Sequence, residues 1–148
     1  METHAPLFEI LLVEDNLGDI QLTREAFRQG RIAHRLSVAS DGEEALSFLR
    51  RQGKYANAPR PDLILLDLTL PKRDGREVLQ DLKNDPELQN IPVVILTTSN
   101  AEQDIRRAYK LYANSYLIKP TQMDEFLRKI QCLETFWLKV VRLPHETY

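Results

Sequence analysis

The sequence predicts an α/β fold: a five-stranded parallel sheet covered on both faces by helices. Three observations carry this expectation. Short aliphatic runs, of which Leu63-Ile64-Leu65-Leu66 is the plainest, alternate with longer amphipathic stretches. An unbroken apolar run between turn signals reads as a strand buried on both faces. Five such strand–helix pairs follow one another, the pattern of βαβ units. Each amphipathic stretch also opens with a capping residue followed three positions later by an acid, in phase with a strand ending.

Phe8-Glu9-Ile10-Leu11-Leu12-Val13 is the first strand, and it ends in Glu14-Asp15. Asn16 caps the helix that follows, with Asp19 near the positive end of its dipole. Ile20, Arg24 and Phe27 share one face, and Gly30 marks the stop. Arg35 to Ala39 alternates as a weak second strand. Ser40-x-x-Glu43 then opens a helix through Ala45, Phe48 and Leu49. The stretch Gly53 to Pro61 is long for an αβ connection and reads as a surface excursion. The third strand runs into Asp67, and Asp74-x-x-Glu77 opens a helix carrying Val78, Leu79 and Leu82 that Asp85-Pro86 ends. Ile91 to Thr97 is the fourth strand, followed by Ser99-x-x-Glu102 and a stripe of Ile105, Ala108, Tyr109 and Tyr112. Ser115 to Lys119 is the fifth, and Thr121-x-x-Asp124 opens the last helix.

Right-handed crossovers leave few ways to connect these units. Five strands are too few for an eight-stranded barrel. The expected fold is therefore the flavodoxin-like doubly wound sheet, strand order 2-1-3-4-5. Composition narrows the function. Twenty basic and 22 acidic residues leave a formal charge of −2, which gives no general pull toward nucleic acid or anionic membrane. A single cysteine, Cys132, excludes an internal disulfide framework and fits a reducing compartment; it is expected as a small packed hydrophobe. The start lacks the pattern of a signal peptide, and no apolar run approaches the roughly 20 residues of a membrane span. A soluble cytoplasmic protein is expected. His4, His34 and His145 show no ligand spacing and are expected at the surface or in loops.

In the 2-1-3-4-5 order the ligand crevice lies beyond the C-terminal ends of strands 1 and 3. Strand 1 delivers Glu14 and Asp15 there, and strand 3 delivers Asp67. Three carboxylates in one crevice repel each other, so some should titrate high unless a cation intervenes. A hard cation that keeps several waters beside one or two carboxylates describes Mg2+. Strand 4 adds the Thr97 hydroxyl and strand 5 the Lys119 ammonium. That set suits phosphoryl chemistry, with metal, ammonium and hydroxyl sharing the oxygens of the incoming group.

Glu14-Asp15, Asp67 with Pro71 four residues on, Thr97 and Lys119-Pro120 together resemble the receiver domain of two-component response regulators. The separations match as well: 30 residues from Asp67 to Thr97, and 22 from Thr97 to Lys119. The resemblance covers about residues 8 to 133. It implies that Asp67 accepts phosphate from a phosphohistidine on a sensor kinase. It also implies that Asp15, Asp67 and the backbone carbonyl of Thr69 bind Mg2+, with Glu14 acting directly or through water. Lys119 and Thr97 would hold the phosphoryl oxygens, and Tyr116 would be the aromatic switch that turns inward with Thr97. The resemblance further implies a cis Lys119–Pro120 peptide. Thr69 stands where other members often carry Asn, and Glu14 is one methylene longer than an Asp.

Residues 134 to 148 extend beyond a typical receiver end. Phe126, Ile130, Leu133 and Trp137 form a continuous helical stripe. The Phe136-Trp137…Leu143-Pro144 ending, the Tyr55 loop and Ala113-Asn114-Ser115-Tyr116 resemble the small response regulators paired with cyanobacterial phytochromes. On that likeness the kinase is a red/far-red photoreceptor. An apolar stripe past the usual domain end either folds back on its own domain or forms a partner surface. The expectation is a symmetric homodimer through Phe126, Ile130, Leu133, Phe136 and Trp137. With no DNA-binding or catalytic segment after the receiver, the signal is expected to leave by an altered surface of the fourth helix, fifth strand and fifth helix.

Three other functions use similar parts. An FMN electron carrier shares the topology, but Glu14-Asp15 would repel the ligand's phosphate. A phosphatase of the haloacid-dehalogenase type needs a second acid two residues after its nucleophile, where this chain has Thr69, and its acidic pair comes late in the chain. A receiver-like module that only binds is argued against by intact Asp15, Asp67, Thr97 and Lys119.

Overall fold

The computed structural model of the chain describes residues 7–30 and 32–137. Five strands, β1 (Phe8–Val13), β2 (His34–Ala39), β3 (Leu63–Leu66), β4 (Val93–Thr97) and β5 (Ser115–Ile118), alternate with five helices. These are α1 (Leu17–Gln29), α2 (Gly42–Leu49), α3 (Gly75–Asn84), α4 (Glu102–Lys110) and α5 (Met123–Thr135). All the pairings are parallel, and the strand order is β2-β1-β3-β4-β5, as expected.

The strands alternate between two cores. Leu11, Val13, Ile64, Leu66, Val93 and Ile95 face α2, α3 and α4, while Ile10, Leu12, Leu63, Leu65, Val94 and Leu96 face α1 and α5. Both faces are covered, so β3 throughout and β4 as far as Leu96 need apolar side chains, which is why their runs are unbroken. β2 and β5 lie at the edges and are mostly half-buried. Asn114 lengthens the β4–β5 pairing by one step, since its N–H donates to the Val93 carbonyl and its side-chain oxygen accepts from the Val93 N–H, both at 2.8 Å.

The helix starts follow the expected chemistry at α1 and α3 and depart from it elsewhere. Asn16 accepts from the Asp19 N–H at 3.0 Å, and Asp74 from the Arg76 N–H at 2.7 Å. At α2 the cap is Asp41, one residue beyond Ser40, and it accepts from the Glu44 N–H while Glu44 reaches back to the Ser40 N–H. At α4 and α5 the residues before the helix are Ala101 and Gln122, with no side-chain cap. Ser99, expected as the α4 cap, instead donates its hydroxyl to Asp104 at 2.5 Å.

Other expectations are also corrected. Phe126, Ile130 and Leu133 are buried between α1, α5 and the sheet, so they are core and not partner surface. Trp137 packs partly against the same cluster, whereas Phe136 is 50% exposed. The stripe therefore folds back on its own domain as far as Trp137, because the sheet face needs a second helix beside α1. Cys132 is exposed and not packed inside. Tyr109 and Tyr112 are exposed, which leaves Ala108 as the buried residue of α4. His34 opens β2, its ring 5.5 Å from that of Phe27, instead of lying in a loop. The Lys119–Pro120 peptide is trans. In the Gly53 to Pro61 excursion, Tyr55 packs on Phe48 and donates its hydroxyl to Glu44 at 2.5 Å. His4, His145 and the tail beyond Trp137 lie outside the described residues.

Candidate functional site

Backbone hydrogen bonds bring four strand ends to one rim. The Glu14 N–H donates to Ala39 on β2, the Asp67 N–H to Val13 on β1, and the Lys119 N–H to Thr97 on β4 at 2.7 Å. Glu14, Asp67, Thr97 and Lys119 are all buried there, and Asp15 is exposed at the mouth. A ligand oxygen from each of Glu14, Asp15 and Asp67 lies within 4.8 Å of the other two.

Lys119 is the centre of this arrangement. Its ammonium contacts Asp67 Oδ2 at 3.1 Å, Asp19 Oδ2 at 2.9 Å and Glu14 Oε1 in a still closer ion pair. Burial alone would pull the Lys119 ammonium down. The hydrogen bonds to Glu14 and Asp19 and the charges of Asp67 and Glu14 outweigh it, so the group is held above the ordinary lysine range. Burial pushes Glu14 up to about 7, against the pull of Lys119 and helped by the charge of Asp67. The two directions agree physically. One ammonium shared among several carboxylates stays charged, while the most deeply buried acid is incompletely compensated. Glu14, Asp15, Asp19, Asp67 and Lys119 carry a formal charge of −3 between them. The excess sits on oxygen donors, which is the donor set of a hard divalent cation.

Thr97 is fully buried at the end of β4, its hydroxyl accepting from the Ser99 N–H at 3.4 Å. Tyr116 is half-buried on β5, and its hydroxyl donates to the Ser99 carbonyl at 3.0 Å. Thr69 is exposed in the loop after β3, and its N–H donates to Asp67 Oδ1 at 3.3 Å. That loop is pinned by Gly75, whose N–H donates to the Leu68 carbonyl at 2.9 Å. A Cβ at Gly75 would collide with the Asp67 carbonyl, so α3 can start this close to the acid only on a glycine.

The structure thus brings Glu14, Asp15, Asp67, Thr97 and Lys119 together and sets Thr69 and Tyr116 around them. Phe126, Ile130, Leu133, Phe136 and Trp137 on and just after α5 are no part of this cluster. Two features escaped the sequence reading. Sequence spacing ties Asp19 only to the helix dipole, yet its carboxylate grips Lys119; its place on the first turn of a helix leaving the switch point is the available signal. The second is a network across α3 and α4, in which Arg76 pairs with Asp104 at 2.6 Å while Asp104 accepts from Ser99. Nothing in the sequence pairs those residues.

The model for the response regulator receiver domain matches residues 10–131. Response regulator Rcp1 of Synechocystis sp. is 49% identical over 135 residues, covering 91% of this chain and 92% of that protein. The crystal structure of the phosphorylated cyanobacterial phytochrome response regulator RcpA superposes with a TM-score of 0.92 at 47% identity, covering 95% of this chain and all of that one. The Mn2+-bound form of Rcp1 gives a TM-score of 0.90 at 48% identity, over 93% of this chain and 99% of the other.

Proposed function

The chain belongs to the response regulator receiver domain family, and on that premise we propose that it accepts a phosphoryl group from a phosphohistidine of a sensor histidine kinase onto Asp67, with Mg2+, and so changes its interaction surface. The observation that carries this reading is the convergence of Asp67 and Lys119, 3.1 Å apart, with Glu14 and Asp15 at one rim of the sheet. In the transfer, an Asp67 carboxylate oxygen forms the new O–P bond as the P–N bond to the kinase imidazole breaks.

Glu14, Asp15 and Asp67 would hold Mg2+ together with the Thr69 backbone carbonyl, Glu14 directly or through water. When bound, the ion neutralises charge on the phosphoryl oxygens. Similarity to an Rcp1 form that carries Mn2+ supports a divalent ion here. Lys119 already stands beside Asp67 and holds a phosphoryl oxygen as a fixed cation. Thr97 offers a hydroxyl from the next strand. Tyr116 follows Thr97 because its hydroxyl is tied to Ser99, two residues further along the same loop.

The single receiver domain spans residues 1 to 148, with a core of about 8 to 133 and an extension over 134 to 148. Likeness to RcpA and Rcp1 supports a phytochrome as the kinase. Self-association is assigned to a homodimer, supported by exposed Phe136 at the end of α5. Exposed Tyr109 on α4 and Tyr112 in the turn after it support an output surface there. No helix among the described residues is long and apolar enough to cross a membrane. The cytoplasm is the proposed site of action, and the balance of 20 basic against 22 acidic residues supports an output without direct binding of nucleic acid. The test is to mix the protein with a radiolabelled autophosphorylated phytochrome kinase and follow the label. Movement to wild type but not to Asp67→Asn is expected. Retention on the kinase beside folded wild-type protein would exclude that partner.

A further inference from the structure

We infer that Asp19 is a positioning residue for this site: it is the anchor that keeps the Lys119 ammonium at the crevice when Glu14 and Asp67 turn toward a divalent cation. The inference rests on the phosphoryl-accepting reading above and adds a residue to it.

Lys119 has three N–H donors, and three carboxylates take them. Two of those acids, Glu14 and Asp67, also belong with Asp15 to the cluster that can hold a metal. A cation held by those two acids draws on the negative charge that compensates Lys119 and repels its ammonium across the same carboxylates. Among the described residues, Asp19 is the one Lys119 partner outside that cluster. The Lys119 side chain is 4% exposed, so water cannot readily replace a lost carboxylate, and an ammonium left there without a partner opposes metal binding.

Asp19 is built to stay in place. Its N–H is held by the Asn16 side chain at 3.0 Å, and its carbonyl accepts from the buried Thr23 hydroxyl at 2.7 Å. The first turn of α1 is therefore fixed on both sides of the residue. Its side chain is 25% exposed and reaches Lys119, 100 residues away in the chain. A first-turn acid serving only the helix dipole needs no such contact.

The experiment is a double-mutant cycle on Mg2+ affinity by isothermal titration calorimetry, with no phosphodonor present, using wild type, Asp19→Asn, Lys119→Met and the double variant. Losing a positioning partner of a metal site commonly weakens affinity about 10- to 100-fold. Asp19→Asn should weaken Mg2+ by at least about tenfold in the wild-type background. With Lys119 absent, the same change should move affinity less than about threefold. Lys119→Ala replaces Lys119→Met if circular dichroism shows that variant unfolded. An equal loss in both backgrounds would make Asp19 a simple source of negative charge and overturn the inference, as would no loss in either. Phosphorylation of wild type by a small acyl phosphate is measured in parallel. Mg2+ binding without phosphorylation would count against the functional reading, whereas phosphorylation without Asp19–Lys119 coupling would count against this inference only.

Discussion

Glu14, which follows β1, and Lys119, which follows β5, form a buried ion pair although 105 residues separate them. It spans the switch point of the sheet and joins the first and last strands of the fold to the same crevice.

The pair makes stability and metal affinity depend on pH. Burial raises Glu14 in the folded state to about 7, from an ordinary value of 4.5. Between those values the folded chain holds a proton that the unfolded chain has released. This group's contribution to stability is therefore present at low pH and declines as pH rises from 4.5 to 7. Glu14→Gln, which mimics the protonated form, should stabilise the metal-free protein more at pH 8 than at pH 5 in thermal melts. Mg2+ must displace that proton, so its affinity should fall up to about tenfold per pH unit below 7, with proton release measurable by calorimetry in buffers of different ionisation enthalpy.

Gly75 sets how closely α3 approaches the acid. Gly75→Ala forces a methyl group against the Asp67 carbonyl. Overpacking of this kind costs about 1–3 kcal/mol, which urea denaturation should detect. Mg2+ affinity should fall as well, since the loop carrying Thr69 must move.

Arg76 and Tyr116 should be thermodynamically coupled through the β4–α4 loop. The Ser99 hydroxyl and the Arg76 guanidinium hold Asp104 below the ordinary carboxylate range, and the Ser99 carbonyl receives Tyr116. Arg76→Ala should cost about 1–2 kcal/mol through a half-buried charged hydrogen bond. Combined with Tyr116→Phe it should show a coupling of about 0.5 kcal/mol or more in a denaturation cycle.

The end of α5 separates packing from association. Leu133→Ala removes a core side chain and should cost about 2–5 kcal/mol. Phe136→Ala touches an exposed ring and should leave the melting temperature nearly unchanged while shifting sedimentation toward the 17.2 kDa monomer. A dimer that persists in Phe136→Ala would move the interface elsewhere.

Much of this was legible in the sequence because burial on two faces writes itself as unbroken apolar runs. The runs Leu63 to Leu66 and Ile91 to Thr97 mark two inner strands, β4 itself starting at Val93 after Pro92, and the polar residues that end them, Asp67 and Thr97, mark the rim. Asp67, Thr97 and Lys119 were legible for the same reason, as polar residues where apolar runs stop. What the sequence hid were choices made by tertiary contacts. Ser99 looked like a cap, yet its hydroxyl goes to Asp104, which Arg76 holds from another helix. Phe126, Ile130 and Leu133 formed an apolar stripe, but a stripe does not say whether its own sheet or a second chain covers it. Asp19 reads as a dipole partner until Lys119 is seen to lie beside it.

The most direct measurement is intact-protein mass spectrometry after incubation with a small acyl phosphate and Mg2+. One acid-labile phosphoryl group per chain is expected, absent in Asp67→Asn and after chelation of the metal. Folded wild-type protein that stays unmodified, or that carries its phosphate on a residue other than Asp67, would contradict the assignment.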